Sequence, residues 1–192
     1  MSEPMSPPTP RIAQPRIGPV VRAGLVLGVG LGGFVDGIVL HQILQWHNML
    51  SSVVPPLSVV TMKYNMVWDG LFHAVTWLAV IAGIGLLFRA GRRADAAWSG
   101  RLLVGAMLGG WGLFNFVEGA IDHQLLGIHH VHPGEGQLAW DLGFLVLGGL
   151  GFMALGFAIA RSGWRSPRAR TRPTGGRVSP AVVGAPAAIT ES

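Results

Sequence analysis

Four apolar stretches, at about residues 20–46, 66–89, 102–127 and 138–160, constrain this chain more than any other feature. Crossing the ~30 Å hydrocarbon core of a bilayer takes about 20 apolar residues in a helix, and each stretch is long enough. In a chain of 192 residues they leave no room for a separate soluble domain. Charged residues make up only 12% of the sequence and mean hydropathy is +0.48, whereas soluble domains carry about 25% charged residues. The expected fold is all-α and integral to the membrane: a four-helix transmembrane bundle occupying 19–161. Residues 1–18 are Pro-rich and polar without the apolar core of a cleaved leader, and 162–192 are rich in Arg, Pro, Gly and Ser. Both read as disordered tails.

The placement of the basic residues sets an orientation. The pI is near 11.3, which by itself could point to nucleic acid. Of the 14 Lys and Arg residues, however, all but Lys63 lie before or at the start of the first stretch, from the end of the second to the start of the third, or after the fourth. Such an asymmetry predicts cytoplasmic termini, with the two short connections on the outer face. Anionic headgroups account for the Arg-rich tail, so the lipid bilayer is the expected partner and nucleic acid is not. A homo-oligomer or another membrane protein stays open as a further partner. The chain has no cysteine, which excludes thiolate metal sites, disulfides and iron–sulfur ligation.

The first and third stretches contain the same string. Phe34-Val35-Asp36-Gly37, His41-Gln42-Ile43-Leu44 and His47 align with Phe116-Val117-Glu118-Gly119, His123-Gln124-Leu125-Leu126 and His129, at a constant offset of 82 residues. Trp68-Asp69 and Trp140-Asp141 align at 72. The chain therefore reads as two helix-hairpin repeats, 20–89 and 101–161. Each holds two spans, so both enter the membrane from the same side as parallel copies about an axis along its normal. Gly24, Gly28 and Gly32, with Gly105 and Gly109, are spaced for close helix contact.

Five of the nine acidic residues lie in or at the ends of the apolar stretches: Asp36, Asp69, Glu118, Asp122 and Asp141. All seven histidines join them or the adjoining connection: His41, His47, His73, His123, His129, His130 and His132. Ionisable groups in a membrane segment are costly and mark functional sites by default. All gather toward the outer half of the bilayer, and no Lys or Arg accompanies them. Carboxylates without a basic partner protonate or recruit a cation. A mixed imidazole and carboxylate set suits Zn, Fe or Cu. The expected ligands are His41, His73 and His123, with Asp36, Asp69, Glu118 and Asp122 as ligands or as partners that orient the imidazoles. Asp141 has no histidine on its own helix and is placed in the surrounding shell. His47 and His129 are expected near the wet interface, and His130 and His132 in a polar outer turn. At 100° per residue, five-residue spacing sets His41 and His123 about 140° from Asp36 and Glu118. A bend at Gly37 or Gly119 would bring them together.

The strings Gly33-Phe34-Val35-Asp36-Gly37, His41 to His47, Trp68-Asp69-Gly70-Leu71-Phe72-His73, Phe114-Asn115-Phe116-Val117-Glu118-Gly119, Asp122-His123 and Gly127 to Gly134 together resemble a family of bacterial four-helix membrane proteins labelled as a domain of unknown function. The resemblance covers about 20–161. It implies a multi-pass protein of the bacterial inner membrane and supplies no activity. Four functional readings follow from the residues. The leading one is transition-metal binding, for metal handling or metal-dependent redox chemistry. The others are a proton or cation transporter, a bis-His haem protein with His41 and His123 as axial ligands, and a structural or assembly factor without a ligand. Whether the protein is an enzyme is not readable from the residues.

Overall fold

The computed structural model describes residues 15–165. The expectations for 1–14 and 166–192, the tails among them, lie outside the described residues. Helix α1 (Gly18–Val35) continues into a π-helical segment, Asp36–Ile43. Helix α2 (Val59–Gly91) returns as one uninterrupted helix. Helix α3 (Gly100–Glu118) continues into a second π-helical segment, Gly119–Leu125. Helix α4 (Gln137–Gly143), a third π-helical segment (Phe144–Gly151) and α5 (Phe152–Arg165) make up the last span. Four helices are long and apolar enough to cross a membrane. The described residues form an all-helical, four-helix membrane bundle.

Helices α1 and α3 form the central pair; α2 packs on α1, and α5 packs on α3. Small residues decide this. At Gly28 a side chain would run into the Met107 carbonyl and Gly110, and at Gly110 into the Leu25 carbonyl. The two backbones touch there, as the glycine spacing predicted. Gly105 and Gly109 serve a different pair, receiving Gly156 of α5. The flanking helices turn large apolar side chains outward: Leu78 is 58% exposed and Leu147 72%. In a membrane these face lipid, so their exposure costs nothing.

The same backbone solution ends α1 and α3. Leu44 N–H donates to Val39 at 2.8 Å and Leu126 N–H donates to Ile121 at 2.8 Å. Trp46 then reaches Leu40 at 3.0 Å, and Ile128 reaches Asp122 at 3.0 Å. A left-handed residue sits inside each of these turns, Gln45 at φ 51° and Gly127 at φ 58°. Every pair is separated by the offset read from the sequence. The connection after Gln45 is held by Asn65, which is fully buried. Its amide donates to Val54 and Thr61 carbonyls at 2.7 and 3.0 Å and accepts from Leu50 N–H at 3.2 Å. Ser58 and Thr61 cap the start of α2 reciprocally.

The return spans of the two halves differ in one element, beyond the longer first connection. The Phe144–Gly151 π-helical segment has no counterpart in α2. Before it, Asp69 corresponds to Asp141. Beyond it, Thr76 and Val80 approach Gly30 as Gly149 and Met153 approach Gly112, an offset of 73. A turn bonded i to i+5 takes up one extra residue relative to the α-helix, and this is where it is accommodated.

Candidate functional site

The π-helical segments place the site. Asp36 and His41 are five residues apart, as are Glu118 and His123. In an α-helix such pairs diverge by about 140°, but a turn closed from i to i+5 stacks them on one face. His41 Nε2 accordingly lies 3.2 Å from Asp36 Oδ2, and His123 Nε2 lies 3.1 Å from Glu118 Oε1. The expected bend at Gly37 and Gly119 is a change of helical pitch.

Each of these imidazoles is approached from the other side by the acid of the return helix. His41 Nδ1 is 3.0 Å from Asp69 Oδ1, and His123 Nδ1 is 3.6 Å from Asp141 Oδ1. Asp69 also accepts Asn48 Nδ2 at 2.7 Å and Met49 N–H at 2.8 Å. Asp141 meets His130 Nδ1 at 2.7 Å and Val131 N–H at 2.9 Å. Asn48 and His130 are 82 residues apart, and so are Met49 and Val131. Each return-helix acid therefore anchors the connection of its own half in the same way.

His47 and His129 close the cluster by a reciprocal exchange. His47 Nδ1–H donates to the Val131 carbonyl at 2.9 Å, and His129 Nδ1–H donates to the Met49 carbonyl at 3.1 Å. Their rings stack 4.8 Å apart at 11°. His41 lies 4.5 Å from His47 and 5.9 Å from His129, and His123 lies 6.3 and 4.8 Å from the same two rings. Four imidazoles thus form one compact group, with His47 and His129 at its centre. All four are buried, His129 completely. The expectation of wet, interfacial positions for His47 and His129 is corrected: the connections fold back over the bundle end and bring both rings inside.

His73, expected beside His41 and His123, stands apart. Its Nδ1–H donates to the Asp69 carbonyl of its own helix at 2.7 Å, and its ring lies against Gly37, Phe34 and Phe72. Leu145 fills the equivalent place against Gly119, so the position is one of packing. Asp122 is half-buried, makes no hydrogen bond to a histidine among the described residues, and corresponds to Leu40 in the first half. His132 packs between Trp46 and Trp140 at the rim. The sequence already paired His47 with His129 and left His73 without a histidine counterpart, and that signal separates the central rings from the peripheral one.

The electrostatics of the group follow from its donors. A backbone carbonyl only accepts, so the Nδ1 of His47 carries the proton and its buried Nε2 presents a lone pair. Burial, reinforced by the neighbouring His129 and His41, pushes the His47 pKa down to about 3. The same tautomer argument applies to His129, yet its Nε2 lies 2.9 Å from Glu118 Oε1. His41 faces a carboxylate with each nitrogen. Lone pair against carboxylate is repulsive unless a proton or another cation lies between. Asp36 Oδ1 and Oδ2, His41 Nε2, His47 Nε2, Glu118 Oε2 and His123 Nδ1 are buried without a hydrogen-bond partner. Ligand atoms of His41, His47 and His129 lie within 4.8 Å of one another, as do those of Glu118, His123 and His129.

A family model for predicted membrane proteins, DUF2243, matches residues 23–163. The chain belongs to this family. No curated protein and no solved structure matches it. The DUF2243 region takes in the whole histidine cluster and nearly all of the four spans.

Proposed function

We propose that the protein is a membrane metalloprotein whose four central imidazoles, His41, His47, His123 and His129, hold a transition-metal ion at the outer end of the bundle. The observation that carries this reading is the set of buried nitrogen and oxygen atoms without partners in and beside two close ligand groups that share His129. Leaving a buried polar group unsatisfied costs about 1–3 kcal/mol, and a cation shared among them removes that cost. Asp36, Asp69, Glu118 and Asp141 orient the rings and balance the charge, as carboxylates around metal-bound histidines do. Imidazole donors suit Zn, Cu or Fe. A pocket of about 250 Å³ lined by Gln42, Gln45, Asn48, Met62 and Met66 leads to His41 and offers an approach from outside. The Arg asymmetry orients the bundle with cytoplasmic termini, in a bacterial inner membrane by family resemblance. The two halves act as a repeat, with His41 and His47 of one answering His123 and His129 of the other.

Haem fits this arrangement less well, because His47 and His129 each lie against both proposed axial ligands. A proton or cation relay uses the same groups, but the other half of the bundle offers few polar side chains to continue it. The test is elemental analysis of detergent-purified protein after loading with each metal and dialysis. Wild type should retain about one ion per chain or more. The His47→Ala/His129→Ala double variant should retain none. Wild type that cannot be loaded would leave the relay as the better reading.

A further inference from the structure

The histidine cluster has a neighbouring pocket that meets it only at Asp36. A pocket of about 590 Å³ opens sideways between the first and last spans, within the 300–1,000 Å³ typical of small-molecule sites. Its mouth faces lipid, past Val39 at 36% exposed and Leu147 at 72%. Aromatic rings form much of the wall: Trp46, Trp111, Trp140, Phe144 and Phe152. Two polar side chains interrupt it, Asp36 and Asn115, each only 4% exposed. Both Asp36 oxygens and Asn115 Oδ1 lack a hydrogen-bond partner. The Asn115 amide is oriented by its Nδ2, which donates to the Gly148 carbonyl at 3.0 Å. The two buried polar side chains therefore offer acceptors from an aromatic wall.

We propose that this pocket binds a lipid-soluble hydroquinone, its ring against the tryptophans and its hydroxyls donating to Asp36 and Asn115. A lipid acyl chain would fill the volume but leave Asp36 Oδ1 and Asn115 Oδ1 unpaired. A water-soluble ligand would have no route through the apolar mouth. The opposite face of the bundle supplies the contrast. The equivalent pocket, lined by Val29, Phe72, Glu118 and Asp122, is about 340 Å³. At the 82-residue offset Val29 stands where the first pocket has Trp111, and Gly33 where it has Asn115. The tryptophans and the buried amide are both missing there: Phe72 and Phe114 are its only aromatic rings, and its second polar side chain is the half-buried Asp122 in place of Leu40. The third π-helical segment, which interrupts only the last span, contributes Phe144, Leu147 and Gly148 to the larger pocket; π-turns of this kind concentrate at functional sites. Asp36 is shared with the cluster, its Oδ2 lying 3.2 Å from His41 Nε2.

The experiment uses metal-free full-length protein in lipid nanodiscs, so its outcome is independent of metal binding. Decylhydroquinone and its dimethyl ether, which cannot donate, are titrated while tryptophan fluorescence is followed. Wild type should bind the hydroquinone about tenfold more tightly than the ether. Asn115→Leu should shrink that preference to about threefold or less. Ala139→Trp, at an exposed position in the pocket wall, should weaken hydroquinone binding about tenfold without touching the polar groups. Equal affinity of the two probes for wild type would overturn the proposal in favour of an acyl-chain groove. Unchanged binding by Ala139→Trp would also overturn it, by placing the probe elsewhere.

Discussion

The Nδ1 proton of His47 is committed to the Val131 carbonyl, which leaves its Nε2 free as a donor toward the centre of the cluster. His47→Ala should therefore lower metal affinity by about 100-fold, read by competition with a chelator, since it removes a ligand and not only an orienting partner. His73→Leu copies the residue of the other half and should leave affinity within about threefold of wild type. A large loss from His73→Leu would restore it to the site. Protons should act on the metal-free protein through His47. Its folded pKa of about 3 lies below the ordinary 6.5, so it contributes stability above pH 6.5 that is lost as pH falls toward 3. Thermal unfolding of the metal-free protein should shift to lower temperature from pH 7.5 to pH 5, and less so in His47→Asn. At this scale the sequence held much of the answer. Acid and histidine types and their gathering at one end of the bundle were legible, and so was the symmetry of His41 with His123. The burial of His47 and His129 was not, because it depends on two connections folding back over the bundle. A polar, histidine-bearing loop reads as solvated until its carbonyl partners on the other connection are known.

At the scale of elements, the π-helical segments convert spacing into geometry. Five-residue separation puts acid and histidine on different faces of an α-helix and on one face of a turn bonded i to i+5. Inserting an alanine after Val39 sets Asp36 and His41 six residues apart, a spacing that neither an α-turn nor a turn bonded i to i+5 stacks on one face. The variant should keep its helical circular dichroism and lose at least about tenfold in metal affinity, because His41 rotates away from Asp36. Wild-type affinity would show that the pairing of Asp36 with His41 is not needed. The left-handed positions that end both segments invite a second measurement. Gly127→Ala places a Cβ at φ 58° and should cost about 1–2 kcal/mol in reversible unfolding. Gln45 already bears that strain in the first half. The π-turns themselves were not legible in the residues. Glycine at 37 and 119 marked a departure from the regular helix, but neither its kind nor the extra residue in the last span could be read from composition or period.

For the whole molecule, length and apolarity were enough to specify four spans, and the 82-residue offset was enough to pair the ends of the first and third. The close contact of those two spans rests on Gly28 and Gly110, where the backbones meet. Which helices sit at the centre follows from that contact and not from hydropathy, which is lower in the third span but about as high in the first as in the two flanking ones. Orientation rests on arginine placement alone. Reporter fusions after Ser58 and after Arg93 should report opposite sides, the first of them exoplasmic; agreement between them, or the reverse order, would overturn the topology. The central claim is that imidazoles from both halves share one ion, and X-ray absorption at the edge of the loaded metal tests it most directly. The account predicts a first shell dominated by nitrogen at about 2.0–2.1 Å for zinc, with the outer-shell scattering of at least three imidazole rings, reduced in His47→Ala. A shell of oxygen atoms only, without imidazole scattering, would contradict it.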